Sequence, residues 1–207
     1  MAQLAEFAQM LIEETPIPAT ALPLAAFKAH LQLGTGFADT TVQNSVLESF
    51  LRAACAAVEA RTGKILITRD FSLSLSAWND PAGHILPVAP VAAITAVTLV
   101  HHNTHETDVG AGDFILSEDD HRPRMIPKAM WLPVIPPKGR VVIAFRAGLT
   151  TDFADLPGDL GQAVLMLATH YYENRSAAGD AQGLMPFGVS ALLERYKSLR
   201  IFGGYPA

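Results

Sequence analysis

With 207 residues, half of them hydrophobic and only 17% charged, the chain can bury the core of one large or two small domains. A net charge of −5 excludes the broadly basic surface that gripping nucleic acid by its phosphates requires. One cysteine, Cys55, excludes a disulfide framework and a thiolate zinc site and points to a reducing cytosol, while no run reaches the ~20 apolar residues of a membrane span.

Residues 1–14 place Leu4, Phe7, Ala8 and Leu11 on one face, which predicts a short amphipathic helix. Its glutamates and lack of a basic start argue against a secretory signal. TPIPAT then reads as a proline-broken linker. Pro23 opens a second helix with Leu24, Phe27 and Leu31 aligned. Thr40 and Gln43 form a capping-box pattern for a long helix that runs to Gly63, a residue suited to the C′ position. Its stripe is Val42, Val46, Leu47, Phe50, Leu51, Ala54, Ala57 and Val58, with Glu48, Arg52 and Glu59 expected on a solvated side.

From Ile65 the period changes to two. Ile67, Phe71, Leu73 and Leu75 alternate with Thr68, Asp70, Ser72, Ser74 and Ser76, the pattern of a half-buried strand. His84–Leu86, Ala92–Val100, Phe114–Leu116, Met125–Ile126 and Arg140–Arg146 read as further strands, the last closing the sheet. HHNTHETD reads as a hairpin tip, and WLPVIPPKG as irregular. The helical period returns over Pro157–Arg175, with Asp159 at the N-cap. Leu160, Ala163, Val164, Leu167, Ala168 and Tyr171 form its stripe. The opposite side, Leu165, Met166, Thr169 and Tyr172, is hardly more polar, so this helix is expected to be covered on two sides, either as the central helix of a monomeric bundle or with a neighbouring subunit on one side. Phe187–Leu199 is a last helix, followed by an apolar, glycine-containing tail.

The chemical signals are weak. His101, His102 and His105 with Asp108 are the one metal-like cluster, but a hairpin tip lacks the fixed i, i+4 face that ligand pairs use. Glu118, Asp119 and Asp120 alternate faces in extended chain and do not converge on one atom. His170 has Glu173 three residues on, which permits a helix-surface hydrogen bond and nothing further. No nucleophile elbow, phosphate loop, dinucleotide fingerprint or metalloprotease motif occurs.

The pieces ARTGKILITR, LPVAPVAAIT, HYYENR and PFGVSALLERYK, in that order across roughly residues 22–199, resemble the head–tail connector (adaptor) family of tailed bacteriophages. They are especially similar to the version in phage-derived gene transfer agents. The resemblance implies a non-enzymatic structural part with no catalytic residues, cofactor or metal. It implies a ring of about a dozen copies beneath the portal, extending the DNA channel without binding DNA specifically and docking the next neck protein. The location implied is the neck of a virion or phage-like particle assembled in the bacterial cytoplasm, away from any membrane.

The combined expectation is an α+β fold: a helical bundle (22–64 and 151–199) with an inserted antiparallel β-module (65–150). An N-terminal helix and linker (1–21) and a tail (200–207) complete the chain. Leu165, Met166, Thr169 and Tyr172 are the expected subunit interface. Lys197, Arg200, Ile201, Phe202 and Tyr205 are the expected portal-binding residues, the aromatics anchored on a flexible Gly203-Gly204 stem. Two alternatives are a metal-dependent hydrolase using His101, His102 and His105, and a stopper or tail-completion protein of the same particle.

Overall fold

The computed structural model describes residues 9–32, 41–117, 119–175 and 185–197. The fold is α+β, with four α-helices and eight strands in two antiparallel sheets among those residues. The chain divides into two compact units. One joins Ile65–Thr151 to the segment that ends at Pro18, and the other joins Ala19–Lys64 to the chain from Asp152 onward.

The β unit holds a five-stranded sheet in the order β1-β2-β8-β4-β5. These strands are β1 (Gln9–Glu13), β2 (Arg69–Leu75), β8 (Arg140–Ala147), β4 (Val91–Val100) and β5 (Glu106–Val109). A three-stranded sheet runs β3-β7-β6, from β3 (His84–Ile85), β7 (Arg124–Pro127) and β6 (Phe114–Ser117). Strand β8, expected to close the sheet, is its middle. Val141, Ile143, Phe145 and Ala147 are all buried, so both of its edges are paired. The register sets Phe71 opposite Phe145 and Leu73 opposite Ile143, and the two phenyl rings stack with centroids 5.7 Å apart. One core serves both sheets, gathering Phe71, Leu73, Val97, Ile143 and Phe145 with Leu86, Phe114, Met125 and Leu132.

The N-terminal helix expected over 1–14 is corrected by β1, since Gln9–Glu13 is extended and pairs antiparallel with β2. The ladder places Leu11 opposite Leu73 and Glu13 opposite Phe71. Arg69 adds an ion pair to Glu13 at 2.8 Å, and the Asp70 N–H donates to the Thr15 hydroxyl oxygen at 3.0 Å. Paired backbone thus overrides a helical stripe of modest propensity. Residues 1–8, which carry Leu4, Phe7 and Ala8, lie outside the described residues.

Ile65–Thr68 precede the regular strand and are tied to 148–150 instead. The Leu149 N–H donates to the Ile65 carbonyl, and the Thr68 N–H to that of Thr150. Gly148 makes this approach possible: at φ +150° a Cβ there would lie 2.3 Å from the Thr68 Cα.

The helical unit comprises α1 (Leu24–His30), α2 (Thr41–Thr62), α3 (Gly158–Glu173) and α4 (Phe187–Leu193). Helix α3 contacts each of the other three. Gly63, at φ +69°, ends α2 by donating its N–H to the Glu59 carbonyl. Glu59, expected in solvent, is buried because it lies four residues after the fully buried Cys55, on the same face. Val46, assigned to the buried stripe, is 44% exposed. Thr40 lies outside the described residues. The N-cap of α3 is Pro157 rather than Asp159, which sits inside the first turn. Helix α4 tightens at Leu193 into a 3-10 turn over Glu194–Tyr196, short of the expected end at Leu199, a position outside the described residues. Among the described residues no helix is long and apolar enough to cross a membrane.

Two substitutions test these packing claims by urea unfolding of the purified chain. Leu167→Ala removes a side chain 1% exposed and should cost about 2–5 kcal/mol. Gly148→Ala should destabilise by more than the few tenths of a kcal/mol typical of a surface change, because backbone stands where the methyl would go. An unchanged midpoint in either case contradicts the corresponding contact.

Candidate functional site

Helix α3 has two unlike sides. Leu160, Ala163, Val164, Leu167 and Ala168 are buried within the unit, and Leu165, Met166, Thr169 and Tyr172 are each half-buried. These four follow one another at spacings of one, three and three residues, so they share one helix face. None of the four side chains is charged. The Thr169 hydroxyl donates back to the Leu165 carbonyl at 2.9 Å. Tyr172 meets Phe50 of α2 edge-on at 6.0 Å, and the Arg175 guanidinium lies 4.4 Å from the Tyr172 ring centre. Gly188 of α4 gives Met166 room, since a Cβ there would stand 3.1 Å from the methionine methyl.

Beside this face is a groove of about 320 Å³ between α2 and α3, lined by Phe50, Ala53, His170, Tyr171, Asn174 and Arg175. His170 bonds to Asn174 and not to Glu173, the partner that its spacing permits. The Asn174 amide nitrogen lies 3.1 Å from His170 Nδ1 and donates to the His170 carbonyl at 2.8 Å, because the residue one full turn on sits closer to the ring. His170 Nε2 is buried and has no hydrogen-bond partner. Burial pushes the Tyr171 phenol upward. Sequence reasoning missed the groove because its walls come from two helices more than a hundred residues apart. Phe50 on the α2 stripe was the one available signal.

A second constellation joins the first turn of α3 to the turn after α4. The Tyr196 hydroxyl donates to Asp159 Oδ1 at 2.7 Å, and Arg195 pairs with Oδ2 at 3.2 Å. Burial alone would raise the Asp159 carboxyl. The Tyr196 hydroxyl, the Leu160 N–H and the Arg195 charge outweigh it and hold the carboxyl below its ordinary value. Tyr196 is pushed up to about 12 by burial, by that hydrogen bond and by the Asp159 charge. Asp159 therefore locks the C-terminal turn while also accepting the Leu160 N–H in the first turn of its own helix. Lys197, half-buried, is the described residue of the expected portal-binding set, and it pairs with Glu194. Arg200, Ile201, Phe202 and Tyr205 lie outside the described residues.

The histidines sit at the turn between β4 and β5. The His101 N–H donates to the His105 carbonyl at 2.8 Å, and the two rings stand 5.6 Å apart. His101 Nε2 has the Thr107 hydroxyl at 3.3 Å, and His102 and Asp108 are exposed. Asp119 Oδ1 accepts the N–H groups of His121 and Arg122, which makes it a turn former. Glu118 lies outside the described residues. Among the described residues no group of three or more His, Cys, Asp or Glu side chains is gathered to hold a metal ion.

No family model matches the chain, and no curated protein does. Solved structures match over nearly its whole length. A chain of the neck of an empty gene transfer agent (GTA) particle, computed with C6 symmetry, is 49% identical with a TM-score of 0.84. The match covers 95% of this chain and 100% of that one. A neck chain of the native GTA particle, computed with C12 symmetry, is 45% identical with a TM-score of 0.80 and the same coverage. A chain of the native GTA virion is 49% identical, with a TM-score of 0.81 and the same coverage.

The chain belongs to the gene transfer agent neck-protein family. This is the head–tail connector kind that its motifs resemble, and the role it carries is structural. Within this neck protein the Asp159–Tyr196 pair gives a pH signature. Asp159 is depressed, so its contribution is present above the unfolded carboxylate range and is lost as pH falls through the folded value. Tyr196 is raised, so its contribution is full below about 10 and is lost as pH climbs toward 12. Tyr196→Phe should cost about 1 kcal/mol near neutral pH. That deficit should shrink at both extremes in chemical unfolding series, and a deficit independent of pH contradicts the lock.

Proposed function

We propose that the chain is the adaptor of its particle: a ring of about a dozen copies beneath the portal, which extends the DNA channel and docks the next neck protein. The observation that carries the reading is the likeness to a GTA neck chain at 49% identity over the whole of that chain. The C12 symmetry used for a related neck supports the copy number. In the ring, Leu165, Met166, Thr169 and Tyr172 lie against the next subunit, which covers the half-buried side of α3. Lys197, Arg200, Ile201, Phe202 and Tyr205 reach the portal. The net charge of −5 suits a conduit, because a basic lining would retard DNA by counterion release. The protein acts without catalysis, and the ring joins its particle in the bacterial cytoplasm.

Cryo-electron microscopy of particles from the producing cells tests this reading, together with two variants. Tyr172→Asp should leave the melting temperature within a few degrees of the parent while depleting the protein from purified particles. Removal of residues 200–207 should spare folding and abolish attachment to the portal. Particles that retain either variant at parental occupancy contradict the assignment of that surface. A neck map in which this chain forms no ring overturns the reading as a whole.

A further inference from the structure

The run from Lys128 to Gly139 has no regular period, yet the β unit holds it firmly. The Lys128 N–H donates to the Asp113 carbonyl, and the Leu132 N–H donates to that of Pro81, both at 2.8 Å. Leu132 itself is 4% exposed in the core. The Trp78 indole N–H donates to the Pro133 carbonyl at 2.7 Å, and the Gly139 N–H donates to that of Pro136 at 2.8 Å. Between these ties Met130 is 79% exposed, Trp131 56% and Val134 85%. A fixed backbone that holds apolar side chains in solvent loses little conformational freedom on binding. An exposed tryptophan on such a loop has the character of an interface anchor.

The helical unit carries a receiving shape, the groove lined by Phe50, Ala53, His170, Tyr171, Asn174 and Arg175. At about 320 Å³ it is at the small end of ligand sites and suits one large side chain. At its polar end the Asn174 amide nitrogen lies 3.1 Å from His170 Nδ1 and donates to the His170 carbonyl at 2.8 Å.

We infer that the Met130–Val134 loop of one copy seats in the α2–α3 groove of the next, with Trp131 as the inserted side chain. This rests on the ring reading above. Two observations select a second copy as the occupant. A head-to-tail ring needs two unlike, complementary patches on one chain, and here an apolar knob and an apolar-walled hole occur together. The knob is also small. Three exposed side chains offer a few hundred Å² at most, against about 800 Å² per partner in a free-standing interface. It is too little to capture a protein from solution, and enough for a copy whose position further contacts already fix.

Particles carrying Ala53→Cys together with Met130→Cys, both at exposed positions, test the contact with a short bis-maleimide cross-linker. The expected result is a denaturing-gel ladder of multimers climbing toward twelve. Neither single variant should give one, because the native Cys55 is fully buried. The same preparation is imaged by electron microscopy. A neck with an intact ring and no ladder overturns this contact and leaves the ring reading standing. A neck in which this chain forms no ring overturns both.

Discussion

The constraint on which the molecule depends is that α3 cannot hide its apolar surface from one direction. Helices α1, α2 and α4 all contact it, and they bury Leu160, Ala163, Val164, Leu167 and Ala168. The side bearing Leu165, Met166, Thr169 and Tyr172 remains only half covered. None of these four side chains is charged, and of their two hydroxyls that of Thr169 is turned back onto its own helix. Beyond the Tyr172 phenol and the neighbouring Arg175 guanidinium, water finds few hydrogen-bonding groups there, and a second apolar surface would displace it from Leu165 and Met166 at little cost. Under the proposed ring, a part that folds first and assembles afterwards needs a surface of this intermediate kind. That side is apolar and partly covered, with Phe50 edge-on to Tyr172 and the Arg175 guanidinium over the same ring.

The β unit meets a different demand, which is rigidity at its own surface. Its core runs through β8 and across both sheets, so residues distant in sequence fix one another. Gly148 lets the chain leaving β8 lie against Thr68, and Leu132 roots the loop that carries Met130 and Trp131. Each is a small, buried feature with an effect at the surface: the first pins the end of the central strand, the second holds apolar side chains out in water.

Much of this was legible in the sequence, and what was not has physical causes. The switch of hydrophobic period at Ile65 and back after Gly148 marked the β unit, because burial on one face writes itself directly into a period of two or of 3.6. The stripe of α3 was legible for the same reason. Residues 9–13 were not, since Leu11 fits a helical stripe as well as a strand, and only its place opposite Leu73 decides between them. The position of β8 at the centre of the sheet depends on pairing partners that composition does not encode. Asp159 looked like a cap because it stands where caps stand. Its role as a lock on Tyr196 and Arg195 depends on a turn thirty-odd residues later. The groove beside Tyr172 belongs to the same class, with walls that meet only once α2 and α3 have packed. The family resemblance was carried by motif order, and the neck structures support it over 95% of the chain.

The claim that matters most is that copies or neighbours in the particle cover the outer side of α3. Hydroxyl-radical footprinting of Met166 and Tyr172, by mass spectrometry of the dilute free chain and of intact particles, reads that coverage directly. A fall of several-fold in oxidation at both residues on assembly, with exposed control sites unchanged, is the result expected. Equal labelling in the two states would mean that this face stays open to water in the particle, and the account would be wrong.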